Sequence, residues 1–456
     1  MEKKMIFPEK GVYCPESARK GLTMINSRIS EKILWNAYAL LLDWERTRSN
    51  LDEALDRMRA EGVEGRSAVA SLLFEYFRHK AWIDRLVADR ARKGAVKPEL
   101  RALLVCALTQ CLFQTGIAPE SAANVAVDCA RRKFGKGPAA FSNAVLRSVL
   151  RSPEAADPPD RSFPDPLRKH WEEIFGGETA AELIAAYASD PPPVFRARGP
   201  LPEGIQPGIF RELPELDFTA PFRFYEILQP ERFFRLSWLE KGLVYVQDPA
   251  TALALSLLES PPEGRVLDIC AAPGGKSIMM HDWAAAAGIR FELTAADRSS
   301  QRLQTLKINL SRAGVKARTV HASAQENPFS DGSFDLILAD VPCGNSGVIR
   351  RRCDAPWHYS ERRLLDVSTL QWDILDSLAR LAAPGGKLLY STCSIEPEED
   401  ENQVSRFLAD HPEFRLIRQR KLLPGRYHDG AFGALFQRSA SLPDAETRKD
   451  LVEDVR

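Results

Sequence analysis

Apolar positions in the first third of the chain recur at helical spacing. Ile33, Leu34, Ala37, Leu40 and Leu41 form one stripe, and Val69, Leu72, Leu73, Tyr76 and Phe77 form another. Leu100–Gln114 is apolar almost all round, which marks a helix buried at the centre of a bundle. Cys106 and Cys111 lie in it and are expected there as small hydrophobes. No strand alternation interrupts the block, so the pattern predicts an all-α domain over residues 30–152 behind a polar extension over 1–29.

Ser152–Asp165, rich in Pro and Asp, reads as a linker. A helix near Leu167–Ala188, the break Asp190-Pro191-Pro192-Pro193 and short apolar runs follow, so residues 153–245 are expected to hold the linker and a small α/β connecting domain. After Tyr245 the period changes. Apolar runs at Arg265–Cys270, Phe291–Asp297, Phe334–Asp340 and Lys387–Ser391 read as strands. Between them lie a helix through Ala287, a helix over Ser299–Ala313, and a long helix that Ser360 can cap and Gly385-Gly386 can end. This alternation predicts a doubly wound parallel sheet over residues 246–440, with a tail at 441–456. Its ligand site belongs beyond the carboxyl ends of the strands.

Composition narrows the function classes. A chain of 456 residues suits two or three domains. Lys plus Arg and Asp plus Glu are both 62, so a whole-chain basic signature for nucleic acid is absent. Residues 1–152, however, carry 26 Lys and Arg against 17 Asp and Glu. The cluster Arg131, Arg132, Lys133 and Lys136 around Phe134 is either a solvated helix end or a phosphate-contacting patch. No apolar run approaches the roughly 20 residues of a membrane span, and MEKKMIFPEKG lacks a signal's apolar core. The eight cysteines include no Cys-x-x-Cys pair, which points to a reduced cytoplasmic protein without structural zinc.

The candidate chemistry collects at strand ends. The first strand runs into Cys270-Ala271-Ala272-Pro273-Gly274-Gly275-Lys276, the second ends at Asp297, and the third ends at Asp340 before Val341-Pro342-Cys343-Gly344. The fourth runs into Thr392-Cys393-Ser394. Gly274 and Gly275 permit a turn that a ligand can approach closely. An acidic residue ending the second strand suits a ribose diol, and together they point to an adenosine-containing cofactor. Gly275-Lys276-Ser277 resembles the end of a P-loop, but Cys270 occupies its first glycine and Pro273 removes an N–H from the cradle. Two strand-end cysteines fit a thiolate that attacks an electrophilic carbon, with a second thiol assisting a later step.

CAAPGGK, the Asp340-Val341-Pro342-Cys343 motif, Thr392-Cys393-Ser394 with Glu396–Asn402, and Val246–Ala250 resemble the RNA cytosine-5 methyltransferases of the NOL1/NOP2/Sun family. Residues 32–151, above all Ala139–Arg151, resemble the NusB-like domain of its bacterial Sun (Fmu, RsmB) 16S rRNA branch. Gly430–Ala434 resembles the family's final strand. The resemblance implies a Rossmann-like, mostly parallel seven-stranded domain and methylation of cytosine C5 in small-subunit rRNA by a cytoplasmic monomer without metal. It implies S-adenosylmethionine held by Cys270, Ala271, Ala272, Pro273, Gly274, Gly275 and Lys276, with Asp297 on the ribose and Asp340 near the methyl group and target base. Cys393 matches the nucleophile that adds to C6, and Cys343 the cysteine that aids product release. Arg350, Arg351 and Arg352 are candidates for holding the RNA backbone, beside the Arg131–Lys136 cluster.

The chain departs from the family at Ser323, where an acidic residue normally meets the adenine side, at Cys353, where proline is usual, and at Arg198-Gly199 near Arg196. Two other readings frame the assignment. A non-catalytic RNA-binding or assembly factor would have no use for Asp340, Cys343 and Cys393. A DNA cytosine methyltransferase would use Cys343 as nucleophile and leave Cys393 without a role.

Overall fold

The computed structural model describes residues 27–91, 96–152, 161–203 and 208–440. The expected extension up to residue 26, most of the Pro/Asp-rich linker and the tail 441–456 lie outside the described residues. The chain divides into two units: residues 1–168 with Arg352–His358, and residues 169–351 with 359–456.

The first unit is helical, with α1 (Ser27–Thr47), α2 (Leu51–Ala60), α3 (Arg66–Arg78), α4 (Lys80–Arg90), α5 (Pro98–Phe113), α6 (Pro119–Phe134) and α7 (Lys136–Leu150). Pro98 opens α5 without wasting a backbone donor, and every residue from Ala102 to Cys111 is buried, as the unbroken apolar run predicts. The two predicted stripes also face the core: Val69, Leu72, Leu73, Tyr76 and Phe77 have no exposed surface. Gly135, at φ 91°, ends α6 and starts α7. Cys353 is buried in this helical core, and burial pushes its thiol far up. The Asp354 carboxylate accepts from Trp44 Nε1 (3.3 Å) and from the Leu51 backbone N–H (3.0 Å).

The second unit begins within α8 (Asp165–Phe175) and continues with α9 (Gly177–Tyr187). The single helix expected over Leu167–Ala188 is two helices, because Gly176 takes φ 78° between them. Next come β1 (Val194–Ala197), β2 (Phe210–Glu212), β3 (Phe224–Ile227), α10 (Pro230–Phe234) and β4 (Val244–Val246). The strands form an antiparallel sheet of order β2-β3-β1-β4 over an aromatic core of Phe195, Tyr225, Phe233 and Trp238.

The main sheet follows α11 (Leu253–Ser256). It comprises β5 (Gly264–Asp268), α12 (Gly275–Ala286), β6 (Phe291–Asp297), α13 (Ser300–Arg312), β7 (Arg318–His321), β8 (Phe334–Asp340), α14 (Glu361–Ala379), β9 (Ala382–Thr392), α15 (Glu401–Asp410), β10 (Phe414–Leu422) and β11 (Ala431–Arg438). The strand order is β10-β11-β9-β8-β5-β6-β7. The five strands β5 to β9 pair in parallel, and β10 and β11 join antiparallel, giving the mostly parallel seven-stranded Rossmann-like sheet that was expected. The chain builds outward from β5 through β6 to β7, then returns to β8 on the other side, so the crevice forms at the carboxyl ends of β5 and β8. Ser360 caps α14 by accepting the Arg363 N–H, as predicted. Gly385 and Gly386 do not end that helix, which stops at Ala379; both lie in β9, whose register against β8 shifts between Phe334 and Leu336. A Cβ on Gly386 would sit 2.8 Å from the Ala383 carbonyl oxygen and 3.1 Å from that of Phe334, so the irregularity requires glycine.

Candidate active site

The turn after β5 is built from backbone. Gly274 N–H closes it onto Ala271 O (2.7 Å), and Gly274 adopts φ 107°, which favours a residue without Cβ. Two side chains of α13 pin its outer face: Arg302 donates to Ala272 O (2.5 Å) and Asn309 to Pro273 O (2.7 Å). At the end of β6 the Asp297 carboxylate, 2% exposed, accepts from Ala272 N (3.3 Å) and Ser299 N (2.9 Å). It therefore joins the turn to the start of α13.

Acidic groups dominate the field here. Asp268 is buried at the end of β5, and burial pushes its carboxyl up to about 7 even though Ser277 Oγ donates to it at 2.5 Å. Burial, with the fields of Asp297, Asp340 and Asp268, pushes the Cys270 thiol up to about 12, so Cys270 is no nucleophile. A cationic ligand with a diol fits such a place: Asp297 can accept from hydroxyls, the bare turn admits close approach, and the Asp297 and Asp340 carboxylates favour a positive centre.

Lys276, the first side chain of α12 to reach across, pairs with Asp340 Oδ1 at 2.7 Å. Burial presses its ammonium to lose a proton, but the Asp340 charge and hydrogen bond outweigh that, and the group is held above its ordinary value. Its field also reaches Cys393. The sulfurs of Cys343 and Cys393 lie 3.0 Å apart, delivered by the adjacent parallel strands β8 and β9. Hydrogen bonding to Cys393 and burial push the Cys343 thiol well up. Cys393 Sγ lies 3.2 Å from Asn345 Oδ1.

The predicted residues are thus placed as follows. The turn 270–276, Asp297, Asp340, Cys343 and Cys393 share the carboxyl edge of β5, β6, β8 and β9. Ser323 sits in the next loop along, after β7, where its Oγ accepts from Glu326 N (2.9 Å). The arginine triplet is not a free basic loop. Arg350 is 4% exposed and donates to His428 O (2.6 Å) and Asp429 (3.1 Å). Arg351 pairs with Asp429 (2.7 Å) and Asp248 (2.8 Å), and Arg352 in the helical unit pairs with Asp52 (3.0 Å). For Arg350 and Arg351 the expectation of holding RNA gives way to an internal role, because the buried Asp429 and the partly buried Asp248 need their charge. In the helical unit Arg131 pairs with Asp128 and Arg132 with Glu31 on an exposed face, and Lys133 lies over Trp35, Tyr38 and Phe134. Lys136 is exposed at the start of α7. Such exposed pairs are weak enough for a phosphate to exchange with the carboxylate.

Sequence reasoning missed Asn345, Gln371 and Glu399. Glu399 lies in the acidic run after Cys393, but its partners are fixed by tertiary structure: Gly344 N–H and Gln371 Nε2 each donate to it at 2.8 Å.

Known proteins resemble both parts of the chain. The 16S rRNA methyltransferase RsmB/F family matches residues 255–432, and the NusB family matches residues 36–151. Ribosomal RNA small subunit methyltransferase B of Xylella fastidiosa (strain 9a5c) is 31% identical over 389 residues, covering 81% of this chain and 88% of the relative. The protein of the same name from Shewanella oneidensis is 29% identical over 380 residues, covering 80% and 87%. Among solved structures, the crystal structure of PH0851 superposes with a TM-score of 0.72 at 22% identity, covering 91% of this chain and 100% of that one, a likeness of fold.

Proposed function

The chain belongs to the 16S rRNA methyltransferase RsmB/F family, and from that premise we propose that it methylates C5 of a cytidine in small-subunit rRNA through a covalent Cys393–C6 adduct. The observation that carries the reading is the pair of sulfurs 3.0 Å apart at the ends of β8 and β9, beside the Lys276–Asp340 ion pair. The family's cofactor, S-adenosylmethionine, supplies an electrophilic methyl group on a sulfonium centre. The backbone of residues 270–276 and the Asp297 carboxylate would hold it, and the acidic field around Cys270 matches its positive charge. No helix among the described residues is long and apolar enough to cross a membrane.

Cytosine C5 is a poor nucleophile. The target base leaves its stack to enter the pocket, and the Cys393 thiolate, favoured by the nearby Lys276 ammonium, adds to C6. As the thiolate adds, N3 takes up a proton from water and the resulting N3–H donates a hydrogen bond to the Asp340 carboxylate, so the electron pair can settle at C5. After C5 has gained its methyl group it still bears one hydrogen. A base removes that proton, the C6–S bond breaks, and Cys343 assists as Cys393 leaves. Ser323 lines the adenine side, and the exposed Arg131–Lys136 face of the helical unit contacts RNA phosphates; the enzyme acts as a cytoplasmic monomer on rRNA before full assembly.

Bisulfite sequencing of 16S rRNA from a deletion strain, complemented with wild type or with Cys393→Ala, tests the reading. One cytidine should resist conversion only with the wild-type enzyme. A protected cytidine with Cys393→Ala would remove Cys393 from its role, and no protected cytidine in any strain would remove C5 methylation. Cys343→Ala should accumulate an SDS-stable protein–RNA adduct.

A further inference from the structure

We infer that Glu399 is a positioning residue that sets the distance between the two cysteines by fastening their loops to one carboxylate. The inference rests on the covalent reading above. Glu399 has no exposed surface. Its Oε2 accepts from Gly344 N–H in the Cys343 loop (2.8 Å), and its Oε1 accepts from Ser394 Oγ in the Cys393 loop (2.9 Å). The two loops come from different strands, and one side chain spans them.

The clamp is closed on its other sides. Gln371 of α14, also without exposed surface, donates from Nε2 both to Glu399 Oε2 (2.8 Å) and to Pro342 O (2.9 Å). Gly344 is required there: a Cβ on it would fall 2.6 Å from Glu399 Oε1. Proton accounting fixes the directions. Ser394 Oγ accepts from Glu396 N (3.1 Å), and Ser346 Oγ accepts from Ile395 N (3.0 Å). With the Ser394 hydroxyl committed to Glu399, the Ser346 hydroxyl donates to Ser394 across 3.1 Å. Ser346 belongs to the segment that follows Cys343, so this chain is a second tie between the same loops. Gly347 N–H to Cys393 O (3.0 Å) is a third. Glu399 differs from the other two in gathering three donors at one carboxylate.

A glutamine in its place keeps the volume and one acceptor but turns the other oxygen into a donor. If the amide oxygen serves Gly344 and Gln371, the NH₂ faces a Ser394 oxygen whose acceptor sites Glu396 N and Ser346 already use. The Ser394 tie must then reverse or break, and the Cys393 loop shifts relative to Cys343. A displacement near 1 Å in such a constellation can cost about 100-fold in rate. The step most exposed is release, which needs both sulfurs, whereas addition of Cys393 to C6 needs one.

Glu399→Gln should therefore form methylated, covalently bound RNA in a first turnover and then stall. Turnover should fall about 100-fold, with an SDS-stable adduct like that of Cys343→Ala, while S-adenosylmethionine affinity by calorimetry stays near wild type. Ser394→Ala, which removes one tie only, should give the same adduct at lower yield and keeps the test open if Glu399→Gln fails to fold. Cys343→Ala runs alongside. An adduct with Cys343→Ala but none with either clamp variant overturns the clamp. No adduct with Cys343→Ala overturns the covalent reading on which it rests. Loss of cofactor affinity in step with turnover would show a merely structural role and also overturn it.

Discussion

Asp268 sits at the end of the central strand β5, 1% exposed, with Oδ1 unpartnered and Oδ2 accepting from Ser277. Burial moves its carboxyl from 3.8 to about 7 in the folded chain. Below pH 3.8 both the folded and the unfolded chain hold the proton, and the folded state keeps its full stability. As pH rises from there to about 7, the unfolded chain has lost the proton and the folded chain retains it, so stability falls with rising pH. The slope is about 1.4 kcal/mol per pH unit, and the whole window is worth about 4 kcal/mol. Asp268→Asn keeps an acceptor for Ser277 and removes the titration. Because a chain of two units need not unfold in one step, hydrogen exchange of amides in β5 is the suitable assay. The ratio of wild-type to variant exchange rates cancels the intrinsic pH dependence of exchange. It should rise about tenfold per pH unit between pH 4 and 7, about 1000-fold in all. A ratio that stays flat across that range would refute the argument that burial keeps this carboxyl protonated.

Two further expectations use other parts of the chain. In the helical unit His79 stacks on Phe113 (4.6 Å between centroids), and burial, with Arg161 and Arg78, lowers it to about 4; stability there should hold above pH 6.5 and fall by about 3 kcal/mol as pH drops toward 4. Exchange of amides in α3 in wild type and His79→Phe checks this, and a pH-independent difference would refute it. Gly274→Ala would put a Cβ 2.9 Å from Leu306 Cδ1 at φ 107°, whereas Gly288→Ala (φ 71°) meets nothing within 4 Å. Both should lose about 1–3 kcal/mol of thermal stability from backbone strain, but only Gly274→Ala should also weaken S-adenosylmethionine binding in calorimetry, and equal weakening by both would detach the turn from the cofactor.

What the sequence made legible follows from the reach of its signals. Strand ends are local, so the turn 270–276, Asp297, Asp340, Cys343 and Cys393 could be assigned to one edge once the β/α alternation was seen; a parallel sheet leaves no other place for them. Helix stripes are local too, which is why the core face of α3 and the buried α5 were readable. The small antiparallel sheet was not, because strands of three or four residues carry no measurable period. The glycine pair 385–386 misled for a related reason: glycine marks a helix end and a β irregularity alike, and only the clash with Ala383 and Phe334 distinguishes them. Charge was the least legible feature. Arg350 and Arg351 resemble a phosphate-binding loop until Asp429 and Asp248, 78 to 103 residues away, are seen to hold them. Glu399 stands inside the acidic run Glu396–Asn402, but its ties to Gly344 and Gln371, 55 and 28 residues away, could not be read from that run. The chemistry of this site is thus written in short motifs, and its geometry is held by ties between those motifs that only the fold shows.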